Sequence, residues 1–242
     1  MSIGAGEHVA VVGLSGGGKS TLLGLLLGWS RPAAGIVRVD GSELDAAGIA
    51  ALRARSVWID PEVTLWNDSI AANLSYGACD ADVARVVADA ELEPTIARMH
   101  EGLATQLGEG GGLVSGGEGQ RIRLGRGLTR RAPALVILDE PFRGLDRETR
   151  RHLLAKIRAR WRDATLLCAT HDIADTTDLP RVVVVEHGRV VEDGSPRELA
   201  RGSSRYAALL ADEHRADRAW STWQRVRLAD GRILREPRQG AP

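Results

Sequence analysis

Eight consecutive residues near the start of the chain, Gly13-Leu14-Ser15-Gly16-Gly17-Gly18-Lys19-Ser20, constrain the fold more tightly than any other stretch. They lie between a β-branched run, His8 to Gly13, and an apolar run, Ser20 to Gly28, that reads as a helix. The chain must therefore pass from strand to glycine-rich loop to helix, the first half of a βαβ unit. Glycines let successive backbone N–H groups turn inward into an anion nest, and the helix N-terminus adds its dipole at the same point. In the pattern G-x-x-x-x-G-K-[ST], with strand before and helix after, these features make a phosphate-binding loop. Lys19 then reaches the β- and γ-phosphates of a nucleotide and the Ser20 hydroxyl ligates Mg²⁺. The nucleotide-binding set is Gly13, Ser15, Gly16, Gly17, Gly18, Lys19, Ser20 and Thr21. A flexible glycine turn that happens to precede a lysine is the plainer reading, but it explains neither flank.

Composition narrows the rest. Of 32 basic residues only Lys19 and Lys156 are lysines. A chain that writes nearly every positive charge as arginine keeps lysine at the end of this loop, where a compact ammonium fits among amides and phosphates and a planar guanidinium does not. Lys156, on a helix face, has no such claim. The basic residues balance 32 acidic ones, so no global field draws the chain to nucleic acid or an anionic surface, and no nucleic-acid partner is expected. With 242 residues, 43% hydrophobic and 26% charged, the composition is that of one large globular domain, or one domain plus an appendage. Cys79 and Cys168 offer neither metal spacing nor a disulfide framework, which fits a reducing cytoplasm. The longest apolar stretches, such as Leu22 to Leu27, fall short of the ~18 to 20 residues that span a bilayer, and the N-terminus has no basic segment followed by an apolar run, so neither a membrane span nor an export signal is expected.

Further along, Gly35 to Asp40 reads as a strand with a turn at Gly41, Ala46 to Ala54 as a short helix and Ser56 to Ile59 as a strand. Residues 68 to 104 are helical in pattern, with helix starts at Asp68, Asp80 and Glu93-Pro94. Ala134 to Leu138 and Ala164 to Ala169 are continuous apolar runs, the mark of parallel strands buried on both faces, with a helix from Asp146 to Arg160 between them. Arg181 to Glu186 and Arg189 to Glu192 form a hairpin around His187-Gly188. Ser195-Pro196-Arg197-Glu198 reads as a capping box that starts a helix. After residue 204 the character shifts: residues 201 to 242 hold nine Arg against five acids, two Trp and a candidate hairpin around Asp230-Gly231, and a small packed appendage is expected.

Leu135 to Leu138 ends in Asp139-Glu140. A buried strand delivers its last residues to the carboxyl edge of the sheet, beside the phosphate loop, where Asp139 can hold Mg²⁺ through water and Glu140 can orient or deprotonate an attacking water. Two acids that merely end a strand are the plainer alternative, weakened by the loop upstream. Val114-Ser115-Gly116-Gly117-Glu118-Gly119-Gln120-Arg121 places Ser and consecutive Gly before a helix starting near Glu118, a second anion-binding N-terminus. Two such sites in one chain point to a composite site shared between two chains.

With these motifs in place, the chain resembles the nucleotide-binding domain of an ATP-binding-cassette (ABC) transporter over roughly residues 5 to 205. Residues 114 to 121 are similar to the family signature L-S-G-G-[QE]-x-Q-R, which implies that Ser115, Gly116, Gly117 and Glu118 cover the γ-phosphate bound by a partner's loop. The resemblance makes His171 the switch histidine that contacts the γ-phosphate. Phe142 to Asp146 is similar to the D-loop, which makes Asp146 a contact across a dimer interface; a helix N-cap is its structural alternative. Thr105 to Gly111 and Trp66 to Leu74 resemble exporter-type segments. The implied fold is α/β: a P-loop NTPase with a mainly parallel sheet flanked by helices. A helical subdomain, about residues 68 to 130, is inserted between phosphate loop and signature. The cassette spans residues 1 to 204 and the appendage 205 to 242.

Two departures from the family pattern stand out. Where the family has a Gln that reaches Mg²⁺, this chain has Pro61, with Asp60 as a neighbouring carboxylate that either serves a hard cation or simply forms a turn. The family's N-terminal strands and adenine-stacking aromatic are missing, since no Phe, Tyr or Trp precedes Trp29. Either the chain is a fragment of a longer polypeptide, which is the expectation, or it binds nucleotide weakly and with poor base selectivity. The resemblance implies an ATPase using ATP and Mg²⁺ that dimerises head to tail with a second ABC domain, identical or not, and drives export. It would do so through a transmembrane domain, fused or separate, from the cytoplasmic face of the membrane. A degenerate, non-hydrolysing half of an asymmetric dimer is the alternative. A soluble cassette of DNA repair or translation is disfavoured by the short spacing between Lys19 and Ser115.

Overall fold

The structure, a computed structural model of the chain, describes residues 1–60, 62, 64–76, 78, 82–221, 226–229 and 232–235. The chain opens with β1 (His8–Val12), α1 (Lys19–Leu26), β2 (Arg38–Val39), β3 (Ser42–Glu43), α2 (Ala46–Ala54) and β4 (Ser56–Ile59). Four helices follow: α3 (Ile70–Ser75), α4 (Val83–Asp89), α5 (Glu93–Arg98) and α6 (Gly116–Leu128). Then come β5 (Leu135–Asp139), α7 (Arg147–Arg160), β6 (Thr165–Thr170), a 3₁₀ turn over Ile173–Thr176, β7 (Arg181–Glu186) and β8 (Arg189–Gly194). The chain continues through α8 (Pro196–Leu199), α9 (Arg205–Ser221), β9 (Val226–Ala229) and β10 (Arg232–Arg235). Among the described residues no helix is long and apolar enough to cross a membrane.

Six strands form one sheet in the order β4-β5-β6-β1-β7-β8, parallel except for the edge strand β8. The continuous apolar runs become its centre because both faces are covered. Alternate residues point to opposite faces: Val9, Val11, Ile137, Leu167 and Val183 pack with Leu23 of α1 and with Leu27 just after it. Ala10, Val12, Val136, Leu138 and Leu166 pack with Leu128 of α6, Leu153 and Ile157 of α7 and Tyr206 of α9. The order matters for the site. Asp139 aligns with Ala169 on β6, and Thr170 aligns with Val12 on β1. The ends of β5, β6 and β1 therefore open onto one edge.

Helices α3 to α6 pack on one another closely enough that a Cβ on Gly125 would sit 2.5 Å from the Leu74 side chain. Their hub is Asn73, fully buried, whose Oδ1 accepts the Trp66 amide at 2.9 Å and the Arg126 guanidinium at 2.8 Å. Its Nδ2 donates to the Trp66, Ser69 and Asp68 carbonyls at 3.1, 3.0 and 3.4 Å. Lys156 pairs with Glu91 at 3.1 Å and donates to the Ala88 carbonyl, tying α7 to the end of α4.

Several expected boundaries move for local reasons. The Ser69 hydroxyl, not Asp68, caps α3 by accepting the Ala72 amide, while Asp68 accepts the Ser69 amide. Asp82 caps α4, and Asp80, like Cys79, lies outside the described residues. The strand expected from Gly35 to Asp40 shortens to Arg38–Val39 because Asp40 and Gly41 both adopt positive φ, giving a tight hairpin with β3. A helix does start after Ser195, but the Ser195 side chain makes no cap bond; its carbonyl accepts the Glu198 and Leu199 amides instead. The signature helix starts at Gly116, two residues before the expected point. β9 and β10 pair antiparallel as the candidate hairpin requires, with Asp230-Gly231 outside the described residues.

Candidate functional site

The phosphate loop hangs from the end of β1 and is braced from behind by the β7–β8 hairpin. Gly13 adopts φ 149°, and a Cβ there would lie 2.1 Å from the Val185 carbonyl oxygen; one on Gly17 would lie 3.0 Å from the same atom. The Gly188 amide donates to the Gly17 carbonyl at 2.8 Å. Gly16 and Gly18 adopt positive φ (76° and 104°), and Gly18 occupies the cap of α1 without a side chain to satisfy its amides. Ser15, Gly16, Ser20 and Thr21 are exposed, whereas Gly13 and Lys19 are buried. The Lys19 ammonium curls under the loop and donates to the Gly13 carbonyl at 2.9 Å and the Leu14 carbonyl at 3.4 Å.

Asp139 and Glu140 arrive from β5. Asp139 is nearly buried, and its Oδ1 has no hydrogen-bond partner among the described residues. Burial pushes its carboxyl above the usual range; the Ser20 hydroxyl and Lys19 oppose the rise, and the nearby Asp60 and Glu140 carboxylates add to it. Glu140 adopts φ 46°, an uncommon conformation for a residue with a side chain. Its amide is held by the Ala169 carbonyl at 2.9 Å. This kink aims its carboxylate across the sheet edge: Oε1 lies 3.7 Å from the Lys19 ammonium and Oε2 lies 2.7 Å from His171 Nδ1. The hydrogen bond to Glu140 holds the His171 imidazolium above its ordinary pKa. Lys19, Glu140 and His171, spread over 153 residues of sequence, thus form one line of contacts.

The signature segment is built separately. Ser115 caps α6: its hydroxyl accepts the Glu118 amide at 3.3 Å, and Glu118 Oε2 accepts the Ser115 amide at 2.9 Å. Glu118 also pairs with Arg98 at 2.5 Å. Against some burial, the Ser115 hydrogen bonds and the Arg98 charge hold its carboxyl below the ordinary range. Glu118 was expected near the first residue of the helix; it is instead the third, locked in a capping box. The buried Gln120 side chain donates to the Pro141 carbonyl at 2.7 Å, and a Cβ on Gly117 would touch Leu145 and Gly144, so α6 abuts the segment after Glu140. Among the described residues no hydrogen bond joins Ser115, Gly116, Gly117 or Glu118 to the chain's own phosphate loop.

Asp146 caps α7, accepting the Thr149 amide at 3.0 Å and the Thr149 hydroxyl at 2.7 Å. The Thr149 amide is the main cause of its lowered pKa. The Asp60 carboxylate accepts the Glu62 amide at 2.7 Å, the hydrogen bond of a turn; Pro61 lies outside the described residues. Sequence reasoning missed Arg150, whose guanidinium bonds Asp175 at 2.7 Å and Asp172 at 3.3 Å and so ties α7 to the turn after His171. The juxtaposition comes from strand order and had no local signal.

Residues 1–143 match the ABC transporter family. The chain is 38% identical over 215 residues to the ATP-dependent lipid A-core flippase of Ralstonia nicotianae, covering 86% of this chain and 36% of that protein. It is 38% identical over 213 residues to the flippase of the same name from Alkalilimnicola ehrlichii, with the same coverage. Among solved structures it is similar to a bacterial Atm1-family ABC exporter with ATP bound, with a TM-score of 0.80 and 34% identity over 86% of this chain and 37% of that one. The chain thus spans little more than a third of the length of these proteins.

Proposed function

The chain belongs to the ABC transporter family, and from that premise we propose that it is the ATP-binding and ATP-hydrolysing domain of an exporter. The observation that carries this reading is the Lys19–Glu140–His171 line at the edge of the sheet. The loop amides and Lys19 receive the phosphates. Glu140, aimed by its strained backbone, orients the attacking water and accepts its proton, while His171, released from Glu140, contacts the γ-phosphate. A site that only binds nucleotide needs neither Glu140 nor His171, which favours hydrolysis over the degenerate alternative.

The donor set fits Mg²⁺. Asp139 Oδ1 is buried and unpartnered beside the Ser20 hydroxyl. Among the described residues no group of three or more His, Cys, Asp or Glu could hold a metal alone. A cation that retains waters and takes phosphate oxygens suits so few protein ligands. Bound there by Ser20 and Asp139, it would neutralise charge on the transferring phosphoryl group. Asp60, a neighbouring carboxylate that already accepts the Glu62 amide, is the remaining candidate ligand.

The signature residues Ser115 and Gly116 are exposed and, among the described residues, make no hydrogen bond to their own chain's phosphate loop, which supports head-to-tail pairing with a second ABC domain and an Asp146 contact across it. A groove of about 220 Å³ lined by Trp58, Asp60, Tyr76, Arg123 and Arg126 opens beside the exposed Trp66. It supports docking of a transmembrane domain and hence a place on the cytoplasmic face of the membrane. We take residues 1–204 as the cassette, with residues 68–130 as its helical subdomain. The test is Glu140→Gln. It leaves ATP binding intact and lowers phosphate release by about 10²- to 10⁴-fold; unchanged release removes Glu140 from this role.

A further inference from the structure

The turn that follows His171 is held by a helix to which no role has been given. Ile173–Thr176 forms one 3₁₀ turn, and its leading residue, Asp172, supplies no side-chain cap. The cap comes from α9: the Glu213 carboxylate accepts the Ala174 amide at 2.9 Å, and the Ile173 amide faces it as well. At the other end of the turn the buried Tyr206 hydroxyl lies 3.0 Å from Thr176 Oγ1, which donates to the Ile173 carbonyl at 2.6 Å. Asp217 of α9 pairs with Arg147 at 3.3 Å, so the helix grips α7 too. Burial pushes the Glu213 carboxyl above its ordinary range, and Asp172 and Asp175 add to the rise. The Glu213 side chain sits half-buried beside two other acids, and its hydrogen bonds there go to two backbone amides next to His171.

We propose that α9 sets the position of His171, with Glu213 as the positioning residue acting through the Ile173 and Ala174 amides. The effect on turnover rests on the hydrolytic reading above; the effect on the turn does not. The experiment compares Glu213→Ala with Glu213→Gln in the full chain. The glutamine carbonyl can accept the same two amides and alanine cannot.

In Glu213→Ala, kcat for ATP falls about 10- to 100-fold, the scale of a displaced catalytic group, with KM for ATP unchanged. Amide exchange at Ile173 and Ala174 accelerates, and the His171 ring ¹⁵N resonances, assigned by their loss in His171→Gln, shift. Glu213→Gln restores all three. Unchanged kcat in Glu213→Ala, or equal loss in both variants, overturns the proposal. If the wild-type chain releases no phosphate, the hydrolytic reading fails, and the exchange and ring resonances still decide the role of α9. If Glu213→Ala does not fold, Tyr206→Phe removes only the hydroxyl bound to Thr176. It shifts the His171 resonances if α9 positions the turn and leaves them in place if it does not.

Discussion

Asn73→Ala tests whether the helical segment is held by one buried amide. The substitution removes five hydrogen bonds, but they are not equivalent. Each carbonyl that Asn73 Nδ2 serves has another donor: Asp68 N for Trp66, Asn73 N for Ser69 and Leu107 N for Asp68. Arg126 keeps the Asn73 and Thr64 carbonyls. The group left unpaired is the Trp66 N–H, at about 1–3 kcal/mol, and the charge-assisted Arg126 bond adds about 1 kcal/mol once its remaining contacts are discounted. The expected loss is about 3 kcal/mol, or roughly 6–12 °C in Tm for a chain of this size, read by circular dichroism. Asn73→Asp keeps both acceptor contacts and pairs its charge with Arg126, but it sets a carboxylate oxygen 3.0–3.4 Å from the Trp66, Ser69 and Asp68 carbonyl oxygens that Nδ2 served, so it costs at least as much as Ala. Finding Asn73→Ala as stable as wild type, or Asp clearly less damaging than Ala, refutes the argument that this one amide serves as acceptor and donor at once.

Lys19→Arg keeps the charge but places a guanidinium where the ammonium fits under the loop between the Gly13 and Leu14 carbonyls. ATP affinity measured by titration calorimetry falls at least about tenfold; wild-type affinity refutes the steric reading of the lysine. The Glu140–His171 pair predicts a pH dependence of stability. Because the hydrogen bond to Glu140 raises the folded pKa of His171 above 6.5, its contribution is fully present below the unfolded value. It is lost as pH rises through the folded one. Urea unfolding of wild type and His171→Gln from acid to alkaline pH shows a gap that shrinks across that window, and a constant gap refutes the pairing.

The elements legible in the sequence were those with local causes. The β-branched run of β1, the helix at Ala46–Ala54 and the apolar runs of β5 and β6 follow from periodicity and burial, and the phosphate loop from spacing alone. Asp139 and Glu140 were readable because a buried strand must release its polar end at the sheet edge. The 2.7 Å contact between Glu140 and His171 was not readable from residue properties, since it depends on β6 lying between β5 and β1. Nor was Ser195, whose side chain fits a capping box by pattern but whose backbone carbonyl does that work. The exporter-like spacing from Trp66 to Asn73 was visible as a pattern. Its cause, an amide that must reach back seven residues to the Trp66 backbone, needed coordinates.

The brace behind the phosphate loop has a thermodynamic consequence. Ordering a backbone costs about 1–2 kcal/mol per residue, and in this chain the Gly188 amide fixes the loop at Gly17 while the nearby Val185 carbonyl leaves no room for a side chain on Gly13. Part of the loop's ordering is therefore complete when the domain folds, and an anion that binds there need not supply it. The loop is a fixed seat, and the turn after His171, held by Glu213 and Tyr206, is a second one across the same sheet edge.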